Sequence, residues 1–259
     1  MTPPFVGIET LIFCDETKFN IANKDAEDAI YYFGISVEKE NVSRINNEIN
    51  EILQRHNVKA EIFHSTKIFR EKRPRLKLMD DLSNVIVRNR LKCFCHKYAK
   101  IDLFEPTKIL RKFNNEIIDF TKLEFQALFY FITILNTYLR DGKPDLLKKE
   151  IMLFFDRNVY GVDETDEFKF PNEYYVLKQM TFTEKSKISL LCLPDFFGYI
   201  FRKSKISQNK VDLGDRTLEK SALTINAYKN LLEINSSNLF YFIATDLEKI
   251  EQALRIIMK

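Results

Sequence analysis

Two stretches of the chain share a pattern, an apolar run that ends abruptly in acid. Leu11-Ile12-Phe13-Cys14 runs into Asp15-Glu16, and Ile151-Met152-Leu153-Phe154-Phe155 runs into Asp156. Such runs predict strands buried on both faces, as found inside parallel or mixed sheets flanked by helices. A carboxylate at the tip of such a strand lies at the edge of the core, where α/β sheets place their ligands. Two acidic tips in one chain point to a metal site or an acid/base pair. An ordinary turn-forming role for each aspartate is the competing reading.

The remaining pattern alternates strands and helices. Strands are expected at about 9–15, 29–37, 59–63, 91–98, 149–156, 175–183 and 239–244. Helices are expected near 40–55, 75–88, 108–116, 117–140, 192–204, 217–234 and 245–258, with loops at 18–27 and 157–173. The 40–55 segment carries Val42, Ile45, Ile49, Ile52 and Leu53 at close to a 3.6 period. Residues 117–140 are apolar nearly all round, which predicts a helix buried against the sheet or at a contact between copies of the chain. A homo-oligomer is therefore left open. The 259 residues read as one α/β domain, with a core at about 9–204 and a helical extension at about 205–259.

Hydrophobic content of 45% with 30% charged residues excludes broad disorder. Net charge is only +3, but it is unevenly spread. Residues 1–66 hold 6 Lys/Arg against 11 Asp/Glu, whereas residues 67–112 hold 14 against 5. A basic tract following an acidic strand tip suits an enzyme acting on a phosphodiester; a solvated basic surface is the alternative. Four cysteines do not make a disulfide framework in a chain of this length. Cys93-Phe94-Cys95-His96 lacks the second Cys/His pair that a tetrahedral zinc site needs. The longest uncharged stretch, Phe125 to Leu139, is too short for a bilayer, and no signal peptide is evident. The expectation is a cytoplasmic protein with no membrane partner. A nucleotide-cradling glycine loop is also missing from a chain with 6 glycines.

A third carboxylate stands in Leu191-Cys192-Leu193-Pro194-Asp195-Phe196-Phe197-Gly198. Proline is tolerated in the first turn of a helix, so a helix starts just before Pro194 and Asp195 falls in or near that turn. The helix dipole favours an acid there, which is the bland explanation. The apolar flanks instead set Asp195 at the rim of a buried helix.

Taken in order, Asp15-Glu16-Thr17, Glu61 and His64 ahead of Ser65-Thr66-Lys67, Asp156, and Ser186 before Leu191-Cys192-Leu193-Pro194-Asp195-Phe196-Phe197-Gly198 form a series that resembles the DUF3800 family over roughly residues 9–204. Thr17-Lys18 replaces that family's small residue and glycine, and Cys192 and Pro194 replace its usual Gln and Ala. The resemblance implies a ribonuclease H-like fold in which Asp15, Asp156 and Asp195 hold one or two Mg²⁺ or Mn²⁺ ions. The family's function is largely unassigned, but a ribonuclease H-like fold with these ions implies a nuclease acting on DNA or RNA, with Glu16 and His64 as further catalytic candidates. Lys67, Arg70, Lys185 and Ser186 become candidates for holding the substrate. A ribonuclease H-like scaffold without catalysis, binding a protein or nucleic-acid partner, is the alternative.

Overall fold

A computed structural model describes residues 9–19, 29–69, 75–99, 110–113, 116–119, 123–140, 150–157, 167–170, 176–212 and 222–243. The chain is α/β. Strands β1 (Glu9–Phe19), β2 (Ala29–Glu38) and β3 (Lys92–Ala99) are joined by β6 (Glu150–Asp156), β7 (Glu167–Lys169), β8 (Leu177–Thr183) and β9 (Phe240–Ile243). They form one mixed sheet of order β7-β8-β6-β1-β2-β3-β9. β1, β6 and β8 run parallel, β2 is antiparallel to both its neighbours, and β7 and β9 close the edges. A separate hairpin pairs β4 (Leu110–Phe113) with β5 (Glu116–Asp119).

The continuous apolar runs belong to strands covered on both sides. Ile12 and Cys14 face one layer and Phe13 the other. The first layer is α4 (Leu123–Arg140), whose Phe131 ring stacks on Tyr32 of β2 at 4.6 Å between centroids. This helix packs against the sheet, one of its two expected uses. Its buried Asn136 accepts hydrogen bonds from the Val176 and Leu177 amides at the entry to β8, at 2.8 and 3.5 Å.

The opposite layer holds α1 (Val42–Arg55), α2 (Ser65–Phe69), α3 (Leu76–Arg88), α5 (Cys192–Asp212) and α6 (Ala222–Ser236). α1, α3 and α6 each end in the same way. Asn57, Arg90 and Asn238 take positive φ of 53°, 51° and 55°. The next residues, Val58, Leu91 and Leu239, are buried and donate back to Leu53, Ile86 and Ile234. A left-handed residue with a following apolar contact satisfies the last helical carbonyls. Asparagine does this twice in a chain with few glycines.

Several expectations change. Residues 59–63 hold a 3₁₀ turn over Ala60–Ile62 rather than a strand, and Ile62 is exposed. Residues 108–116 were expected to be helical, but their described part belongs to the β4–β5 hairpin. Phe113 pairs opposite Glu116, so strand pairing outweighs a weak helical period there. The 157–173 loop contains the short edge strand β7. The strand expected at 239–244 is β9, which joins the main sheet beside β3, so the extension after residue 204 is not purely helical. The 245–258 helix lies outside the described residues. No described helix is long and apolar enough to cross a membrane.

Candidate active site

The cluster forms where the parallel pairing of β1, β6 and β8 ends. The β1–β6 register runs through Cys14↔Phe155, so Asp15 and Asp156 stand one step beyond it on adjacent strands. β1 does not stop at Asp15, as its sequence suggested; it continues to Phe19 against β2, and only its parallel pairing ends there. Asp156 is the last residue of β6 and pairs in register with Thr183 of β8. Lys185 follows on the turn after β8. Alternation places Asp15 with Phe13, and Asp156 with Phe154, on the side facing α5. Glu16 falls on the other face of β1 by the same rule.

Asp195 arrives from above, in the first turn of α5. The preceding 3₁₀ turn is held by Asn46 of α1, whose carboxamide oxygen accepts from Ser189 Oγ at 3.0 Å and the Leu190 amide at 3.2 Å. One turn along α5, Gly198 lets the helix lie close on β1 and β2. A Cβ there would fall 2.8 Å from the Phe33 ring and 3.3 Å from Thr17 Oγ1. Residues three apart share a helix face, so this contact also turns Asp195 towards the sheet.

Lys185 is the centre of the group. It is 7% exposed, and its Nζ donates to Asp195 Oδ2 at 2.7 Å and to the Phe63 carbonyl at 3.2 Å. It also lies 3.4 Å from Asp156 Oδ2. Asp156 and Asp195 are themselves only 7% and 6% exposed. The Ser65 amide donates to the second Asp195 oxygen at 3.2 Å, and the Ser65 hydroxyl is buried with no partner among the described residues. His64 stands at the rim, its side chain 56% exposed and its Nδ1 3.6 Å from Asp195 Oδ2.

Burial by itself would raise the Asp195 carboxyl, but Lys185 and then His64 outweigh it and hold it below the ordinary range. Burial pushes Asp15 well up, Lys185 opposes the rise, and Asp195, Glu16 and Asp156 add to it. Asp15 keeps some contact with solvent, which tempers the effect. Burial would lower the Lys185 ammonium, yet Asp195 and Asp15 reverse this and raise it above an ordinary lysine. Two carboxyls displaced in opposite directions are the usual arrangement of an acid and a base.

The fold thus brings together Asp15, Asp156, Asp195, Lys185 and His64. Lys67 is exposed on α2, and Ser186 is exposed with its hydroxyl bonded to Glu184 at 2.8 Å. Arg70 lies outside the described residues. Within the basic tract, Arg75 donates to the His56 carbonyl and Arg88 pairs with Glu48, so these two serve the fold. Two partners had no sequence signal, the Phe63 carbonyl and the Ser65 amide, because every residue offers such groups. On β3, Cys93 and Cys95 face the α5 layer, and alternation turns His96 to the opposite face.

Three aspartates supply the hard oxygen donors that Mg²⁺ or Mn²⁺ takes, and the ammonium of Lys185 already stands among them as a cation. The donor set therefore fits a divalent ion in kind. Among the described residues, no three His, Cys, Asp or Glu side chains are gathered tightly enough to hold a metal, and Lys185 pairs with both Asp156 and Asp195. No family model, curated protein or solved structure matches the chain.

Proposed function

We propose that the chain is a divalent-metal-dependent nuclease, with a ribonuclease H-like architecture and kinship to the DUF3800 family, hydrolysing phosphodiester bonds of DNA or RNA. One observation carries this reading. Asp156 of a central strand and Asp195 of a late helix meet at Lys185, and Asp15 of the first strand stands beside Asp156 at the carboxyl edge of the parallel strands. Those three sources are the ones the family resemblance implies.

Asp15, Asp156 and Asp195 are the side chains that would hold Mg²⁺ or Mn²⁺. Bound there, the ion would lower the pKa of an attacking water and neutralise charge on the phosphate. The chain's own groups do the rest. The Ser65 amide fixes one Asp195 oxygen, while Lys185 and His64 keep that carboxylate ionised. His64, at the open rim beside Asp195, is placed to take a proton from water or to contact a phosphate oxygen. Asp15→Ala and Asp156→Ala are each expected to abolish Mn²⁺-dependent cleavage of labelled DNA and RNA oligonucleotides while the circular dichroism spectrum is unchanged. Full activity in either variant removes that residue from the ligand set.

A second reading has its own support. Lys185 already neutralises part of the cluster from within, as suits a scaffold that has no need of metal. Millimolar Mn²⁺ separates the two readings, because an ion that binds the folded state must raise its thermal midpoint. An unmoved midpoint together with intact oligonucleotides favours the scaffold.

A further inference from the structure

We propose that Lys185 is a built-in competitor of the divalent ion, its ammonium holding the focus of the carboxylates until a metal displaces it. The inference rests on the metal-dependent reading above and concerns how that site is controlled. An ammonium has three hydrogens, and Nζ has three acceptors within reach, from three separate segments: Asp195, the Phe63 carbonyl and Asp156. The same carboxylate oxygens that a metal would need are thus engaged by a group covalently tied to the chain.

Both cations cannot share that focus, because a divalent ion and an ammonium a few ångströms apart repel strongly in a part-buried site. Displacement need not disturb the fold around it. The turn carrying Lys185 is closed by its own backbone bonds, from the Lys187 and Ile188 amides to the Glu184 carbonyl at 3.0 Å each. A four-carbon side chain can therefore reorient while the turn stays in place. The half-exposed His64, beside Asp195, marks a solvent-facing side of the cluster towards which the ammonium can swing. A displaced Lys185 then becomes a phosphate contact, so metal entry and substrate charge neutralisation are coupled.

Mn²⁺ alone, titrated calorimetrically into the full chain, tests this. Lys185→Gln is expected to bind Mn²⁺ about tenfold more tightly than the wild type, and Lys185→Arg no more tightly. If the wild type binds Mn²⁺ and Lys185→Gln binds it equally or more weakly, the competition idea fails and the metal reading survives. If neither binds, both fail. Binding seen only in Lys185→Gln supports occlusion by the lysine and overturns the metal reading for the native chain. Should Lys185→Gln not fold, acetylation of the wild-type protein gives the same answer. Mass spectrometry should find Lys185 protected without metal and labelled in millimolar Mn²⁺. Continued protection while Mn²⁺ raises the thermal midpoint overturns the proposal.

Discussion

The Lys185 cluster and the ion pairs between α1 and α3 use similar side chains in opposite surroundings. Arg88 pairs with Glu48, and His56 Nε2 lies 2.7 Å from Asp81, along an edge of two helices that water reaches. Such pairs contribute roughly 0–1 kcal/mol, because solvent screens them and long side chains lose freedom. Lys185, Asp156 and Asp195 have given up nearly all their hydration, and buried charge of this kind costs several kcal/mol per ion before pairing offsets it. The outer pairs adjust how two helices meet. The inner group gathers unfavourable charge at one place, which is how binding and catalytic sites differ from stabilising ones.

The largest test of that contrast is Lys185→Gln without metal. It leaves two buried carboxylates without their cation, and urea denaturation should show a loss of about 3–5 kcal/mol. A loss below ~1 kcal/mol would place the cluster in the same class as the surface pairs. Asp195→Asn should cost about 2 kcal/mol at neutral pH. The folded Asp195 value lies below the ordinary 3.8, so its stabilisation is present above that value and fades as pH falls through the folded one. The deficit of the variant should shrink in parallel below about pH 4.

Gly198→Ala probes the support rather than the charge. The new methyl meets the buried Phe33 ring, and a cost of about 1–3 kcal/mol is expected, with weaker Mn²⁺ response as α5 lifts. Asp15→Asn should act in the opposite direction. A carboxyl raised on folding costs stability as pH climbs from its unfolded towards its folded value. Removing it should therefore stabilise by about 1 kcal/mol near neutrality and by nothing in acid. Arg88→Ala, on the outer set, should change stability by less than ~1 kcal/mol. A larger effect there would blur the distinction.

Much of this was legible in the chain. Both-face burial wrote itself into Leu11 to Cys14 and Ile151 to Phe155, and Pro194 marked the start of α5. Asp15 and Asp156 stood out because each closes an apolar run, whereas Asp195 rested mainly on the family resemblance. Lys185 was singled out for phosphate, but nothing local shows that a lysine will fold inward. That depends on β8 ending next to β6, a long-range fact. The hairpin at β4–β5 and the edge strand β7 were hidden for another reason. Short strands paired with one neighbour carry little periodicity, and their turn chemistry must be weighed against helical spacing.

The position of β1 also governs when the molecule can be completed during synthesis. β1 can pair with β2 as soon as Glu38 has emerged, but its other neighbour, β6, comes more than a hundred residues later. Such non-local parallel pairing is slow to form, since the chain must close a long loop before any contact rewards it. Lys185 and Asp195 follow later still. The nascent chain thus carries Asp15 on an unpaired strand edge until β6 has emerged, and the acidic centre closes only after its framework stands.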